Sequence, residues 1–381
     1  MIRLKSVTYA EFEGKPEEWK LDTFSLGHSN LIVGKNASGK SRTLNLIGAL
    51  SANLSGIRPP GLAGDYDVEF IDDGKLLKYH LKYEQNQVLE ESFEIDGKLF
   101  LDRDLGGVGN IYASEVNKGE MIRFQTPTTE FAAVARRDSI QHAFLEPLHI
   151  WASSVRHYQF GTPLGKDHLA VVVERGGIEP DDRNPDNIVG LFLQATKNFG
   201  EKFSQSIAAD MRQLNYDVKG IGTIRPTSIQ LSPNAPQIVS LFAQENDLKG
   251  ITDQHTMSQG MFRALSILIL VNYSQFSGKS SCLLIDDIGE GLDFDRSCRL
   301  INLLRAKAKE PNVQLIMSTN DRFIMNQVPL EEWAVIQRNG GLVRILNYEN
   351  SKSLFEDFKF TGLSNFSFLE MDFANQTPEE A

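Results

Sequence analysis

The sequence predicts an α/β protein with a mixed sheet at its centre, an antiparallel β-lobe and a helical lobe. Three observations predict it. A glycine-rich turn joins a short apolar strand to a helix around residue 40. An apolar strand around residue 284 ends in two carboxylates. Between them, short stretches of alternating polarity are separated by Asp-Gly turns.

Composition narrows the class. With 381 residues, 41% hydrophobic and 23% charged, the chain is long enough for a large domain with an inserted lobe and needs no covalent staples. Its formal net charge of −11 argues against a surface that coats nucleic acid, which takes clustered Lys and Arg; a local basic groove stays compatible. Cys282 and Cys298 are the only cysteines and show no metal-ligand spacing, so neither a disulfide framework nor a zinc site is expected. The N-terminal MIRLKSVTYAEF lacks the apolar core of a signal peptide, and the longest apolar run, from Ala264 to Val271, is too short to span a membrane. A cytoplasmic protein with no membrane partner is the expectation.

Along the chain, residues 1 to about 12 alternate as a strand through Ile2, Leu4 and Val7. SNLIV, residues 29–33, is a second strand, followed by the glycine turn and a helix through TLNLIGALSANL. DVEFI, LLKYHLKY, ESFEI, KLFL and MIRFQ read as hairpin strands turning at DDGK, IDGK and GGVGN. Helical patterns run from Arg136 to Trp151 and from Asn187 to Leu214. Strands return in GIGTIRPTSIQL and PQIVSLFA, then a helix from about Gln259 to Gln275. The strand CLLIDD, a helix through LINLLRAKAKE, the strand VQLIMST, and the β segments WAVIQR and LVRILNY follow. The TPEEA tail is expected to fray. Residues 1–65 and 251–350 then form two parts of one core, 66–127 the β-lobe, 128–250 a helical and mixed insert, and 351–381 an aromatic-rich C-terminal segment. No internal repeat or heptad run is present, which excludes a long coiled-coil arm.

Gly34, Lys35, Asn36, Ala37, Ser38, Gly39, Lys40 and Ser41 fit G-x-x-x-x-G-K-[ST] between a strand and a helix, the setting that makes this pattern a phosphate loop. Its backbone N–H groups turn inward, and the helix N-terminus adds partial positive charge. Lys40 is expected on the β- and γ-phosphates of ATP, and the Ser41 hydroxyl on Mg²⁺. Arg42 either touches a phosphate or a partner's acid, or lies on the helix surface. An adenine platform is expected from Tyr9, Phe12 or Phe24.

The strand Leu283-Leu284-Ile285-Asp286-Asp287 suits a buried parallel strand, whose C-terminal end lies where α/β sheets bind ligands. Asp286 is expected to hold Mg²⁺ and Asp287 to polarise the attacking water. Upstream, Ser258, Gln259 and Gly260 open an apolar helix. A hydroxyl, a close backbone approach and a helix N-terminus make a second anion site; it lies too far along the chain to serve its own phosphate loop, so it would cap the γ-phosphate held by a second copy. The alternative is an ordinary serine N-cap.

Phosphate loop, Ser-x-Gly helix, acidic strand and Gly291-Leu292-Asp293, in that order, resemble the non-transporter ABC ATPases: the SMC, RecF and overcoming-lysogenisation-defect group, and related ATPases of bacterial defence and toxin–antitoxin operons. The motifs span Ile2 to about Asn320. The resemblance implies an ABC-type P-loop NTPase core, an ATP-sandwich homodimer, and contact of Gly291-Leu292-Asp293 with the opposite subunit. Three departures stand out. The family's catalytic Glu is Asp287, a methylene shorter, which displaces the base by about 1 Å and costs of order a hundredfold in rate; Glu290 is the alternative base. The family's switch histidine is Asn320, an amide that senses a γ-phosphate without charge. The glutamine expected near the metal is either Gln125 or Gln159.

Val155-Arg156-His157-Tyr158-Gln159 reads as a surface strand or, less simply, a ligand groove; Phe355, Phe358, Phe360, Phe366, Phe368 and Phe373 read as a docked helix or a partner surface. The leading functional expectation is an ATP-hydrolysing dimeric switch, open to higher oligomers, that controls a separate effector (nuclease or toxin) in anti-phage defence. A DNA-repair ATPase clamping duplex DNA and a slow or non-hydrolysing scaffold are the alternatives.

Overall fold

The apolar runs at 31–33, 282–285 and 315–317 are buried on both faces and set the middle of a sheet. This architecture comes from a computed structural model that describes residues 1–115, 119–172, 180–230, 232, 236–310 and 312–375; the TPEEA tail lies outside the described residues. The first half of the chain contributes β1 (Arg3–Glu11), β2 (Trp19–Ser25), β3 (Ser29–Val33), α1 (Lys40–Leu54), β4 (Ala63–Asp72), β5 (Lys75–Glu84), β6 (Gln87–Ile95), β7 (Lys98–Arg103), β8 (Val108–Ala113) and β9 (Glu120–Gln125). Then come α2 (Ala132–Ala135), α3 (Glu146–Ser154), β10 (Val155–Gln159), β11 (Ala170–Val171), α4 (Ile188–Phe199), α5 (Glu201–Gln213), β12 (Val218–Ile224), β13 (Ile238–Glu245) and β14 (Thr252–Asp253). The last stretch holds α6 (Gln259–Ser277), β15 (Ser281–Asp286), α7 (Phe294–Lys307), β16 (Val313–Ser318), α8 (Arg322–Gln327), β17 (Trp333–Asn339), β18 (Leu342–Asn347), α9 (Lys352–Phe360) and α10 (Ser367–Glu370).

One mixed sheet runs β10-β15-β16-β3-β17-β18-β2-β1-β4-β5-β6-β7-β8-β9. From β10 to β17 neighbours are parallel, and from β2 through β1 to β9 they are antiparallel. The β-lobe is therefore the antiparallel continuation of the core sheet. Alternation along β3 sends Leu31 and Val33 into one core and Ile32 into the other. Helices α1 and α3 cover the Ile32 face, and α4 to α7 with α9 cover the opposite one. Strands β11, β13, β12 and β14 form a small second sheet in the helical lobe.

In the β-lobe the expected turns at Asp73-Gly74 and Asp96-Gly97 are two-residue turns with positive φ at both positions, matching the strand twist. Gln85-Asn86 makes a third such turn (φ 50° and 61°) without a glycine to announce it. Four readings need correction. Strand β2 was not expected: it carries a bulge, with Leu21 to Phe24 facing the shorter stretch Tyr9 to Val7 of β1, and this breaks its period of two, so that Trp19, Leu21 and Phe24 are the buried positions. The helix expected from Arg136 to Trp151 is interrupted, because the Asp138 carboxylate accepts from the N–H groups of Ile140 (2.8 Å) and Gln141 (2.6 Å) and holds a turn instead. The pattern from Asn187 to Leu214 splits at Gly200 into α4 and α5. The strand expected in GIGTIRPTSIQL stops at Ile224, before Arg225-Pro226, where proline has no N–H to continue the ladder.

The β-lobe is tied to residues 126–133 by a fully buried ion pair. Glu91 accepts from the N–H groups of Ala132 and Ala133 (both 2.7 Å) and from Tyr79 Oη (2.9 Å), and it meets Arg103 at 3.3 Å. Arg103 also donates to the carbonyls of Glu130 and Pro127. Burial pushes the Glu91 carboxyl up, against the pull of those N–H donors and of Arg103. Removing one partner leaves the other charge buried alone, so Glu91→Ala is expected to cost about 3–5 kcal/mol in chemical denaturation. The Glu91→Leu/Arg103→Leu double variant is expected to cost less than the sum of its single changes; strict additivity would show that the two charges do not interact.

Candidate functional site

Residues 34–39 connect β3 to α1 under tight constraint. A Cβ on Gly34 would lie 2.7 Å from the Ile336 carbonyl oxygen, so only glycine lets the loop leave the strand there. Gly39 sits at φ 107° and no side chain caps α1, which leaves the first N–H groups of the helix for an anion. Lys40 is buried, and its ammonium folds back onto the carbonyls of Gly34 (2.9 Å) and Lys35 (3.1 Å). Burial holds its pKa below the ordinary lysine range, against the pull of Asp287 and Asp286. The Ser38 hydroxyl is buried without a hydrogen-bond partner. Lys35 is exposed and pairs with Asp372 at 3.2 Å.

Parallel register brings distant residues to this loop. Ser318 of β16 lies beside Ile32 of β3, and Ile285 of β15 beside Met317, so all three strands end together. The resulting cleft, about 370 Å³, is lined by Asn36, Ala37, Gly39, Lys40, Ser41 and Arg42 from the loop and helix, by Asp287 and Asn320, and by Trp19 and Arg338. Asp286 is buried at the end of β15 and accepts from the Ser318 hydroxyl; that hydroxyl in turn accepts from the Asp287 N–H at 3.0 Å. Asp287 adopts a left-handed backbone, φ 53°, at the turn off the strand. Burial raises its pKa, the Asp286 charge raises it further, and Lys40 opposes both.

Other expected residues fall elsewhere. Glu290 is exposed and does not line this cleft; a Cβ on Gly161 would run into its carboxylate, and its carbonyl accepts from Arg263 at 2.9 Å. Gln125 ends β9, the far edge strand of the sheet from β10, so the structure does not bring it to the site; Gln159 pairs in register with Asp286 instead. The segment from Val155 to Gln159 is accordingly not a surface strand: Arg156 and Tyr158 are buried. Ser258 caps α6, accepting from the Met261 N–H at 3.2 Å, and with Gln259 and Gly260 it lies away from its own chain's cleft. Gly260 packs on Gly291, whose carbonyl a Cβ would meet at 2.7 Å. Arg42 pairs with Glu11 and lies 4.5 Å over the Trp19 ring. Tyr9 and Phe24 are core residues, and the aromatic ring that lines the cleft is that of Trp19, in the strand missed above. Sequence reasoning also missed Arg338, which donates to the Ala37 carbonyl at 3.3 Å, and Ser318, although a serine ending the apolar strand next to an acidic one was a readable signal. In the C-terminal segment Phe355, Phe358 and Phe368 are buried and Phe366 and Phe373 pack on the same core; Phe360 alone of the six is exposed, at 94%.

These residues fit a triphosphate with a hard cation. The orphaned Ser38 hydroxyl, the uncapped α1 and the loop-held ammonium suit phosphate oxygens. Ser41 and Asp286 offer the oxygen donors that Mg²⁺ prefers. Among the described residues no helix is long and apolar enough to cross a membrane.

A family model described as "AAA domain, putative AbiEii toxin, Type IV TA system" matches residues 136–326, half of the chain. That span holds Gln159, Ser258, Asp286 and Asn320 but not the phosphate loop. No curated protein matches the chain. Among solved structures, an SMC head bound to the C-winged helix domain of ScpA is similar with a TM-score of 0.54 at 15% identity, covering 92% of this chain and 99% of that one. An SMC head domain with an extended coiled coil, bound to the C-terminal domain of ScpA and derived from Pyrococcus furiosus, gives 0.51 at 12% identity over 94% and 100%. At such identities the likeness speaks to fold, and the fold is that of an ABC-type ATPase head. The chain belongs to the AAA-domain family so described, built on a core of the SMC-head type.

Proposed function

We propose that the protein is an ATP-gated dimeric switch that binds ATP with Mg²⁺ and hydrolyses it slowly. One observation carries this reading: Lys40, Asp287 and Asn320 share a cleft, while the Ser258–Gly260 anion site of the same chain stays outside it. Each protomer thus offers half a site in two places, and two copies turned head to tail complete both. In this reading Lys40 and the loop N–H groups hold the phosphates, Ser41 and Asp286 hold the metal, and Asp287 orients the attacking water. Gln159 replaces Gln125 as the glutamine beside the metal, and Glu290 is left at the dimer face rather than as the base. Trp19 flanks the base or ribose. The short Asp287 and neutral Asn320 support slow turnover.

Ser258→Arg tests the dimer. Sedimentation with saturating ATP and Mg²⁺ is expected to show wild type as a dimer and the variant as a monomer, with nucleotide affinity of the single protomer retained and turnover lower by about a hundredfold. A variant that dimerises and turns over normally sinks the reading. The effector the switch controls is a separate chain, a nuclease or toxin; the toxin–antitoxin wording of the matching family supports this, and co-purification with the product of a neighbouring gene checks it. The net charge of −11 weighs against a DNA clamp, whose mark would be turnover stimulated by duplex DNA and lost with salt.

A further inference from the structure

Arg263 stands one turn into α6 and is 92% buried, yet among the described residues it forms no ion pair. Its guanidinium is spent wholly on backbone carbonyls. Nε donates to Thr162 at 3.1 Å, one terminal nitrogen to Glu290 at 2.9 Å and the other to Gly161. These carbonyls belong to two loops. Gly161 and Thr162 follow Gln159 at the end of β10, and Glu290 follows Asp287 at the end of β15. The arginine itself rides on the helix that Ser258 caps.

The joint has no slack. Gly291, at φ 80°, comes so close that a Cβ would lie 2.5 Å from the Arg263 guanidinium. Gly260 meets the Gly291 carbonyl without room for a Cβ, and Gly161 lies against the end of the Glu290 side chain, which would have to shift to admit one. A buried cation that faces only carbonyls is costly, and an apolar side chain would fill a helix–loop contact at less cost. What the planar fork supplies is directional attachment of three segments at once, which lysine, a point donor, does not reproduce.

We propose that Arg263 is a positioning residue that couples the two half-sites of one protomer. Its helix carries the cap for the partner's nucleotide, and its carbonyl partners carry the loops around that protomer's own Asp287 and Gln159. When Ser258 and Gly260 seat on the partner's γ-phosphate, the first turn of α6 moves the guanidinium, and the guanidinium moves both loops. Occupancy of one site thereby sets the geometry of the other. This rests on the dimeric reading above and adds cooperativity to it.

The test is Arg263→Lys in the full chain, with turnover measured against ATP concentration and against protein concentration. Expected are a single-protomer ATP affinity within about threefold of wild type, kcat lower by about tenfold, and a Hill coefficient that falls from above 1 to 1. Unchanged kcat and Hill coefficient overturn the proposal. So does a lower kcat with the Hill coefficient kept, since Arg263 would then merely hold the loops. Should Arg263→Lys melt early or lose ATP binding, Gly161→Ala probes the same joint by pressing a methyl group on the flexible Glu290 side chain; a folded Gly161→Ala protein with undiminished cooperativity overturns the proposal as well. If wild-type turnover ignores protein concentration, the dimer reading itself fails; if it depends on protein concentration and Arg263→Lys behaves as wild type, only the coupling fails.

Discussion

Asp287→Asn is expected to lower ATP turnover by about a hundredfold or more, to leave ATP binding intact, and to raise the melting temperature of the nucleotide-free protein at neutral pH. The choice of asparagine matters because position 287 is left-handed, at φ 53°, and asparagine tolerates that region while alanine strains in it. The substitution thus removes a charge and leaves the backbone where it is. The stability gain follows from the direction of the pKa shift. Burial and the neighbouring Asp286 raise the Asp287 carboxyl above its unfolded value. A group raised in this way stabilises the fold only while protonated, and as pH rises through the folded value the buried carboxylate works against the native state. The gain from Asp287→Asn is therefore expected to be full above the folded value and to vanish below about 3.8, where both states hold the proton. Turnover has the opposite dependence. A base must be ionised, so wild-type kcat should rise with pH through a midpoint above the ordinary aspartate range. Parallel melting and rate profiles check both. If Glu290→Gln abolishes turnover while Asp287→Asn does not, the base has been misplaced by one loop.

The same residues show what the sequence could and could not disclose. The glycine loop between β3 and α1 and the acidic strand were legible because each is a contiguous pattern with a mechanical reason: a glycine at position 34, where a Cβ would strike Ile336, and an apolar run where both faces of β15 are buried. The β-lobe was legible from its Asp-Gly turns, down to the strands they join. Trp19 was not, because its strand loses the period of two at its own bulge between Leu21 and Phe24, and without the strand nothing placed an indole in the cleft. The choice between Gln125 and Gln159 was likewise closed to sequence reasoning. Both end strands beyond the phosphate loop, and only the sheet order reveals that one strand adjoins β15 while the other closes the opposite edge. Arg263 was visible as a letter in an apolar helix, but its three carbonyls come from two loops about a hundred and about thirty residues away along the chain. Order across a sheet and contact between loops are the properties that local patterns do not encode.

Lys40→Ala is expected to weaken ATP binding by roughly ten- to a hundredfold and to cut turnover by about 10²–10³. The two losses differ because the ammonium helps hold the ground-state phosphates but meets more charge as the γ-phosphoryl group departs. The structure adds a reason to expect a clean variant. In the cleft the ammonium is buried and its pKa is depressed by that burial, so its charge works against the fold at neutral pH and is relieved as pH climbs toward the ordinary lysine value. Its hydrogen bonds to the carbonyls of Gly34 and Lys35 offset part of that cost. Taking the side chain away removes the buried charge together with the two hydrogen bonds that offset it, which leaves the melting temperature near that of wild type. Differential scanning with and without ATP and Mg²⁺ then separates folding from binding. Wild type at about a hundred times its dissociation constant gains about 2.7 kcal/mol from the ligand, and Lys40→Ala at the same concentration gains about 0.4–1.4 kcal/mol. A variant stabilised by nucleotide as fully as wild type would mean that the triphosphate is held elsewhere, and with it Asp287, Asn320 and the head-to-tail dimer would lose their common centre.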